Sequence, residues 1–172
     1  MRVRRLSVQI GFKFHMNDVN AAVGMANLAH LPAILDKCRA NAAFFDAKLA
    51  KLPGIMQLAP LPSGTRSAWW LYTIRVPASW RPRFYAHMKA CKVMVSAVHQ
   101  RNDVHSCTHR FSAALPQLDK LADELVCLPV GWWLTDADRE RIVDAVKTFS
   151  ATYSAGAGVR TEGAAMQARS KL

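Results

Sequence analysis

The feature that most constrains the fold is the series Leu31, Ile34, Leu35, Cys38, Ala42, Phe45, Leu49 and Leu52. Steps of three and four put these side chains on one stripe of a helix, and that stripe must be buried against another element. The helix ends at "LPGI", residues 52–55. Pro32 is compatible with its first turn, where the missing N–H has no helical partner to lose. Just ahead, Asn17 or Asp18 can cap a shorter helix by accepting free backbone N–H groups. Val19, Ala22, Val23 and Ala26 make a narrow apolar stripe on it. Gly24 inside that helix costs about 1 kcal/mol relative to Ala, which predicts a second backbone passing close by. The chain thus opens with a long helical segment over 17–52.

The segments that follow supply something for the long stripe to pack on. "PLPSGTRSA" reads as a loop, and "WWLYTIRVP", residues 69–77, is β-branched and aromatic, hence a strand. "SWRPRFYAHMKACK" reads as a short helix starting near Pro82, "VMVSAVH" as a second strand and "QRNDVHSCTHR" as a polar loop. "LPQLDKLADELVCLP" predicts a helix ended by Pro129, and "VGWW" a short extended piece. "TDADRERIVDAVKTF" has Thr135 at the N-cap, acids in its first turn and Ile142, Val143, Val146 and Phe149 on one face, which predicts a closing helix. After Tyr153 nothing is periodic or large and apolar. The expectation is one α+β domain over 1–153, with a small mixed or antiparallel sheet covered by helices on one side, and a flexible tail over 154–172.

A hydrophobic fraction of 51% with 20% charged residues suits a globular chain rather than a disordered one. No apolar run is long enough to cross a bilayer, and "MRVRRLSVQIGFKF" lacks the apolar core of a signal peptide, so no membrane contact is expected. Four scattered cysteines without a CxxC argue against a disulfide framework and for a reducing cytoplasm.

The net charge of +11 is uneven: residues 66–110 hold eight Lys/Arg against one acid, Asp103. That excess invites an anionic partner, either nucleic acid or a phosphate-bearing small molecule. No helix-turn-helix, zinc finger or aromatic RNA motif is present, so nucleic acid is the disfavoured choice. His99, His105, Cys107 and His109 lie within eleven residues and offer zinc-type donors. Their i, i+2, i+4 spacing in "HSCTH" fixes nothing in a loop, and no metal site is assigned. The pairs Trp69–Trp70 and Trp132–Trp133 could stack bases, but one ring of each pair is expected to point inward and pack.

The most organised short stretch is "GFKFHMNDVNAAVG", residues 11–24. Gly11, Phe12, Lys13, Phe14, Met16, Asp18, Val19, Ala21, Ala22, Val23 and Gly24 resemble a block of the pyridoxal-phosphate-dependent sugar aminotransferases of the DegT/DnrJ/StrS type. The resemblance continues in order through the long helix, "WWLYTIRV", "VMVSAVHQRNDVHSCT" and "LADELVCLPVGWWLTDADRERIVDAV", covering about residues 8–150. It implies the C-terminal, small domain of a fold-type I aminotransferase, which would help move an amino group to a nucleotide-linked keto sugar. The family's Schiff-base lysine and the acid that pairs with its pyridine nitrogen have no obvious counterpart here. The resemblance therefore implies a chain inactive by itself and without a catalytic residue of its own, or a non-catalytic, self-associating or ligand-binding derivative.

The same resemblance assigns Lys13 and His15 to the phosphate of pyridoxal phosphate in a partner subunit, and so implies a homo-oligomer. His15 stands where the family usually has Arg or Asn, so its charge would follow pH. The loop "HQRNDVH" is implied to face a nucleotide-sugar ligand. Arg101 suits a diphosphate because its planar fork binds oxyanions in pairs, while His99, Asn102 and His105 can read sugar hydroxyls. As residues alone, Lys13 and His15 also fit a solvated helix flank, and the Asn-Asp pair a self-bonded turn.

Overall fold

The computed structural model describes residue 9, residues 11–12, 15–97 and 101–169. Helix α1 spans Asp18–Leu28 and α2 spans Leu31–Leu49. They are followed by β1 (Met56–Gln57), β2 (Tyr72–Arg75) and α3 (Arg81–Ala90). Two short 3-10 turns, Asn102–Val104 and Ser106–Phe111, lead into α4 (Pro116–Glu124), β3 (Leu125–Leu128) and α5 (Asp136–Arg169).

The sheet is antiparallel throughout, in the order β1-β2-β3, with Tyr72 opposite Leu128 and Arg75 opposite Leu125. Along β2 burial alternates: Tyr72 and Ile74 are buried, and Val76 just beyond continues the pattern. These meet Phe45 and Leu49 of α2, Phe84 and Met88 of α3, and Val143, Val146 and Phe149 of α5 in one core. Phe84 lies edge-on to Phe149 at 5.0 Å and Phe45 edge-on to Tyr72 at 5.2 Å, the geometry that the ring quadrupole favours. Full burial of each such side chain contributes about 1.5–3 kcal/mol. The class is the α+β arrangement expected, with a small antiparallel sheet packed by helices.

Local signals set several element ends. Asn17 caps α1, its Oδ1 accepting the Asn20 N–H at 2.9 Å. Thr135 and Asp138 cap α5 reciprocally: the Asp138 N–H donates to Thr135 Oγ1 and the Thr135 N–H to Asp138 Oδ2, each at 3.1 Å. The hydrogen bond from Thr135 also holds the Asp138 carboxyl below its ordinary value. Gly54, at φ +72°, turns the chain from α2 into β1, and an added Cβ would lie 2.1 Å from the Trp80 ring.

Five details depart from the sequence expectation. "LVCL" is strand β3, not the end of a helix; pairing with β2 overrides the helical spacing that precedes it. In "VMVSAVH" the described residues, 93–97, make one bridge, Ser96 to Cys127, on the outer side of β3. Trp132 and Trp133 occupy a turn and both are exposed, whereas Trp69 packs against the core and Trp70 is exposed as expected. Around Gly24 no other part of the described chain comes within 4 Å of where a Cβ would sit, and α1 has no buried residue. Finally, the backbone beyond Tyr153 continues as helix to Arg169; alanine recurs there and no proline interrupts it.

Candidate functional site

Two loops carry the residues expected to touch ligand. In the first, Lys13 lies outside the described residues. His15 is exposed, two positions ahead of the cap residue Asn17, and Phe12 is exposed as well. In the second, His99 lies outside the described residues, while Arg101 directly precedes the first 3-10 turn, Asn102 begins it and His105 follows it.

The shape of the second loop comes from Arg101. Its Nε donates to Asp103 Oδ1 at 2.9 Å and its Nη2 to Asp103 Oδ2 at 2.5 Å. Its Nη1 donates to Oδ1 of Asp119, in the first turn of α4. One planar fork therefore grips a carboxylate two residues away and ties the loop to a helix. The hydrogen bond from Arg101 holds the Asp103 carboxyl below its ordinary value. The same bonds, to Asp103 first and then to Asp119, push the guanidinium pKa further up.

Thr108 closes the turn from the other side. Its hydroxyl lies 2.6 Å from the Asn102 carbonyl and 2.9 Å from that of His105, and donates to one or the other. The backbone N–H of Thr108 also donates to the His105 carbonyl at 3.1 Å. This leaves the Asn102 side chain exposed and the His105 ring half-buried between the two turns. An amide and an imidazole so held can exchange hydrogen bonds with hydroxyl groups. Asp119 and Thr108 were not singled out by the sequence. An acid in the first turn of α4 and a Thr after a polar turn were their only signals.

Pyridoxal phosphate, implied by the resemblance, needs an amine for its aldehyde as well as donors for its phosphate. A lysine in that role sits desolvated beside its cofactor. Every described lysine here is exposed or half-exposed, and Lys37 and Lys48 lie 4.0 and 3.9 Å from Asp136 and Glu140. Among the described residues, then, no lysine is buried in the way such an amine would be. Nor, among the described residues, are three His, Cys, Asp or Glu side chains gathered for a metal ion. No described helix is long and apolar enough to cross a membrane.

A further buried polar group supports the Trp132–Trp133 turn. Asn41 on α2 is fully buried, and its Nδ2 donates to the carbonyls of Gly131 at 2.9 Å and Val130 at 3.3 Å. A lone amide on an otherwise apolar stripe was the sequence signal for it.

Comparison with known proteins gives this geometry a setting. The chain is 41% identical to AtS13 from Actinomadura melliaura, covering 81% of this chain and 37% of that one, with a TM-score of 0.71. It is 37% identical to the sugar aminotransferase CalS13 from Micromonospora echinospora, over 80% of this chain and 37% of that one, with a TM-score of 0.72. A dTDP-3-amino-3,4,6-trideoxy-alpha-D-glucose transaminase of Streptomyces venezuelae is 28% identical over 145 residues, which is 81% of this chain and 37% of that protein. The chain thus spans little more than a third of the length of the relatives it matches. The sequence profile of the DegT/DnrJ/EryC1/StrS aminotransferases matches residues 2–147, and the chain belongs to that family.

Proposed function

We propose that this chain is the C-terminal, small-domain portion of a cytoplasmic nucleotide-sugar aminotransferase. It lends two loops to an active centre whose reactive lysine belongs to other polypeptide. The observation that carries the reading is the similarity to sugar aminotransferases over about four-fifths of this chain and little more than a third of theirs.

In this reading Lys13 and His15 offer cationic donors to the phosphate of pyridoxal phosphate held in a partner subunit. When bound, that cofactor supplies the electron sink through which an amino group is transferred. His99, Asn102 and His105 orient the sugar through its hydroxyl groups. Arg101 keeps Asp103 and exchanges Asp119, whose side chain is 63% exposed, for an oxygen of the substrate diphosphate. The exchange substitutes one anion for another on the same edge of the guanidinium and needs no new charge to be buried.

Adding glutamate, pyridoxal phosphate and a dTDP-linked keto sugar to the isolated chain is expected to give no amino sugar. Titrating in the dTDP-sugar is expected to move the amide resonances of Asn102 and His105. Turnover by the chain alone, or binding that leaves those resonances in place, would overturn the reading.

A second reading, a self-associating or ligand-binding domain without catalysis, is favoured by α1. Val19, Val23, Met25 and Leu28 are all exposed there, and no residue of α1 is buried, so the helix presents apolar side chains on both sides, as interaction surfaces do. Sedimentation that shows a monomer at high concentration, unchanged by Val23→Glu, would remove that reading.

A further inference from the structure

Between α2 and the β1–β2 edge lies a groove of about 610 Å³ lined by Asp46, Gln57, Leu58, Leu61, Trp69 and Tyr72, among others. Its walls are largely apolar, and a few polar groups converge on it, which is the composition of a small-molecule site. In a chain of net charge +11, none of the described residues lining this groove is Lys or Arg, and Asp46 is its one carboxylate. The two grooves beside α3 and Met94 carry lysines instead.

The polar groups already have an order. The Tyr72 hydroxyl donates to Asp46 Oδ1 at 2.7 Å, and Gln57 Nε2 donates to the Asp46 carbonyl at 2.9 Å and to Tyr72 Oη at 3.1 Å. Each donor is spent, while Oδ2 of Asp46 and the amide oxygen of Gln57 remain as acceptors. Burial and the hydrogen bond to Asp46 push the Tyr72 hydroxyl pKa up, so it stays a donor. A ligand group that reaches these two acceptors must therefore bring donors.

Trp69 adds an independent observation. Its φ is +49°, a conformation that a bulky residue keeps only where its surroundings over-determine it. Here the Trp69 N–H donates to Ser67 Oγ at 2.9 Å, and Arg39 Nε donates to the Ser67 carbonyl at 3.1 Å. The indole is held stacked beside Tyr72, with ring centroids 5.5 Å apart and planes at 29°. An aromatic platform next to a carboxylate is the arrangement that recognises a cation with an apolar or hydroxylated body.

We propose that this groove is a binding site for an organic ammonium ion of sugar-ring size, with its ammonium on Asp46 and Gln57 and its ring against Trp69. The site is separate from the loops discussed above and does not depend on the function assigned to them.

The test is a titration of the chain with glucosamine, glucose and glucose 1-phosphate, followed through the amide resonances of Gln57 and Thr73 and the Trp69 indole. Glucosamine is expected to shift these groups, more weakly at high salt, with glucose weaker and glucose 1-phosphate weakest. Asp46→Asn keeps an acceptor for Tyr72 and is expected to weaken glucosamine about five- to tenfold while leaving glucose unchanged. Trp69→Phe keeps an aromatic ring and is expected to weaken both. Equal response to the three sugars, undiminished glucosamine binding by Asp46→Asn, or no shift at these residues would overturn the proposal. Shifts at Asn102 and His105 report on the other site, so the two outcomes stay distinct.

Discussion

Replacing Asn41 by Ala should destabilise the domain far more than removal of a small polar group suggests. The side chain is fully buried and bridges α2 to the turn ahead of α5. Its bond to the Gly131 carbonyl, at 2.9 Å, is a good one; that to Val130, at 3.3 Å, and the contact of its Oδ1 with Arg139 Nη1, at 3.4 Å, are longer. Asn41→Ala removes a donor from both carbonyls, and residues 130 and 131 are themselves buried; the Gly131 carbonyl keeps the Leu134 N–H, at 3.2 Å, while that of Val130 loses its Asn41 donor. Each acceptor left dry costs about 1–3 kcal/mol. Because only the Val130 carbonyl is left dry and Gly131 loses one of its two donors, the expected loss is about 1–3 kcal/mol, a sizeable share of a typical 5–15 kcal/mol. Urea unfolding followed by tryptophan fluorescence should show the midpoint falling with the slope unchanged. A loss below about 1 kcal/mol would mean that water reaches these carbonyls, and the reasoning would fail.

Other perturbations have equally definite outcomes. Arg75 donates through Nε at 2.8 Å and Nη2 at 2.5 Å to Glu124 Oε2, whose side chain is 9% exposed. Arg75→Ala leaves that carboxylate without its partner and should cost about 3 kcal/mol, while Glu124→Ala, which frees a partly solvated Arg75, should cost less; equal losses in thermal melts would contradict this. Asp103 has a folded-state pKa below its ordinary value because of Arg101. Its contribution is therefore present above the unfolded carboxylate pKa of about 4 and lost as pH falls through the lower, folded value. Hydrogen-exchange protection of residues 101–105 should hold at neutral pH and weaken in acid, and loss on going alkaline instead would refute the clamp. We also propose that the segment beyond Ser154 contributes nothing to the stability of the core; truncation after Ser154 should leave the melting temperature within about 2 °C, and a larger fall would tie that segment to the fold.

The parts of the fold legible in the sequence are those where one periodicity and one environment coincide. The stripe from Cys38 to Leu49 is buried on a single helix, and Ile142, Val143, Val146 and Phe149 face the same core from α5. Strand β3 was not legible because Leu125 continues a helical spacing; only pairing with β2, some fifty residues earlier in the chain, makes it extended. Among the described residues the second strand is one bridge for a related reason, since Ser96 meets β3 at its outer edge. In the ligand loop the residue types were readable, but not their pairing. Arg101 looked like an open anion receptor, and the carboxylate that joins Asp103 on it, Asp119, lies eighteen residues away on α4. The acceptor-lined groove at Asp46 was invisible for the same reason, because Asp46, Gln57 and Tyr72 come from three separate elements.

The central claim is that this polypeptide offers ligand-gripping loops without the amine that chemistry at pyridoxal phosphate requires. Incubating the chain with pyridoxal phosphate, reducing with borohydride and mapping the product by mass spectrometry tests it most directly. Only scattered, substoichiometric labelling of surface lysines is expected. Stoichiometric attachment at one lysine would contradict it.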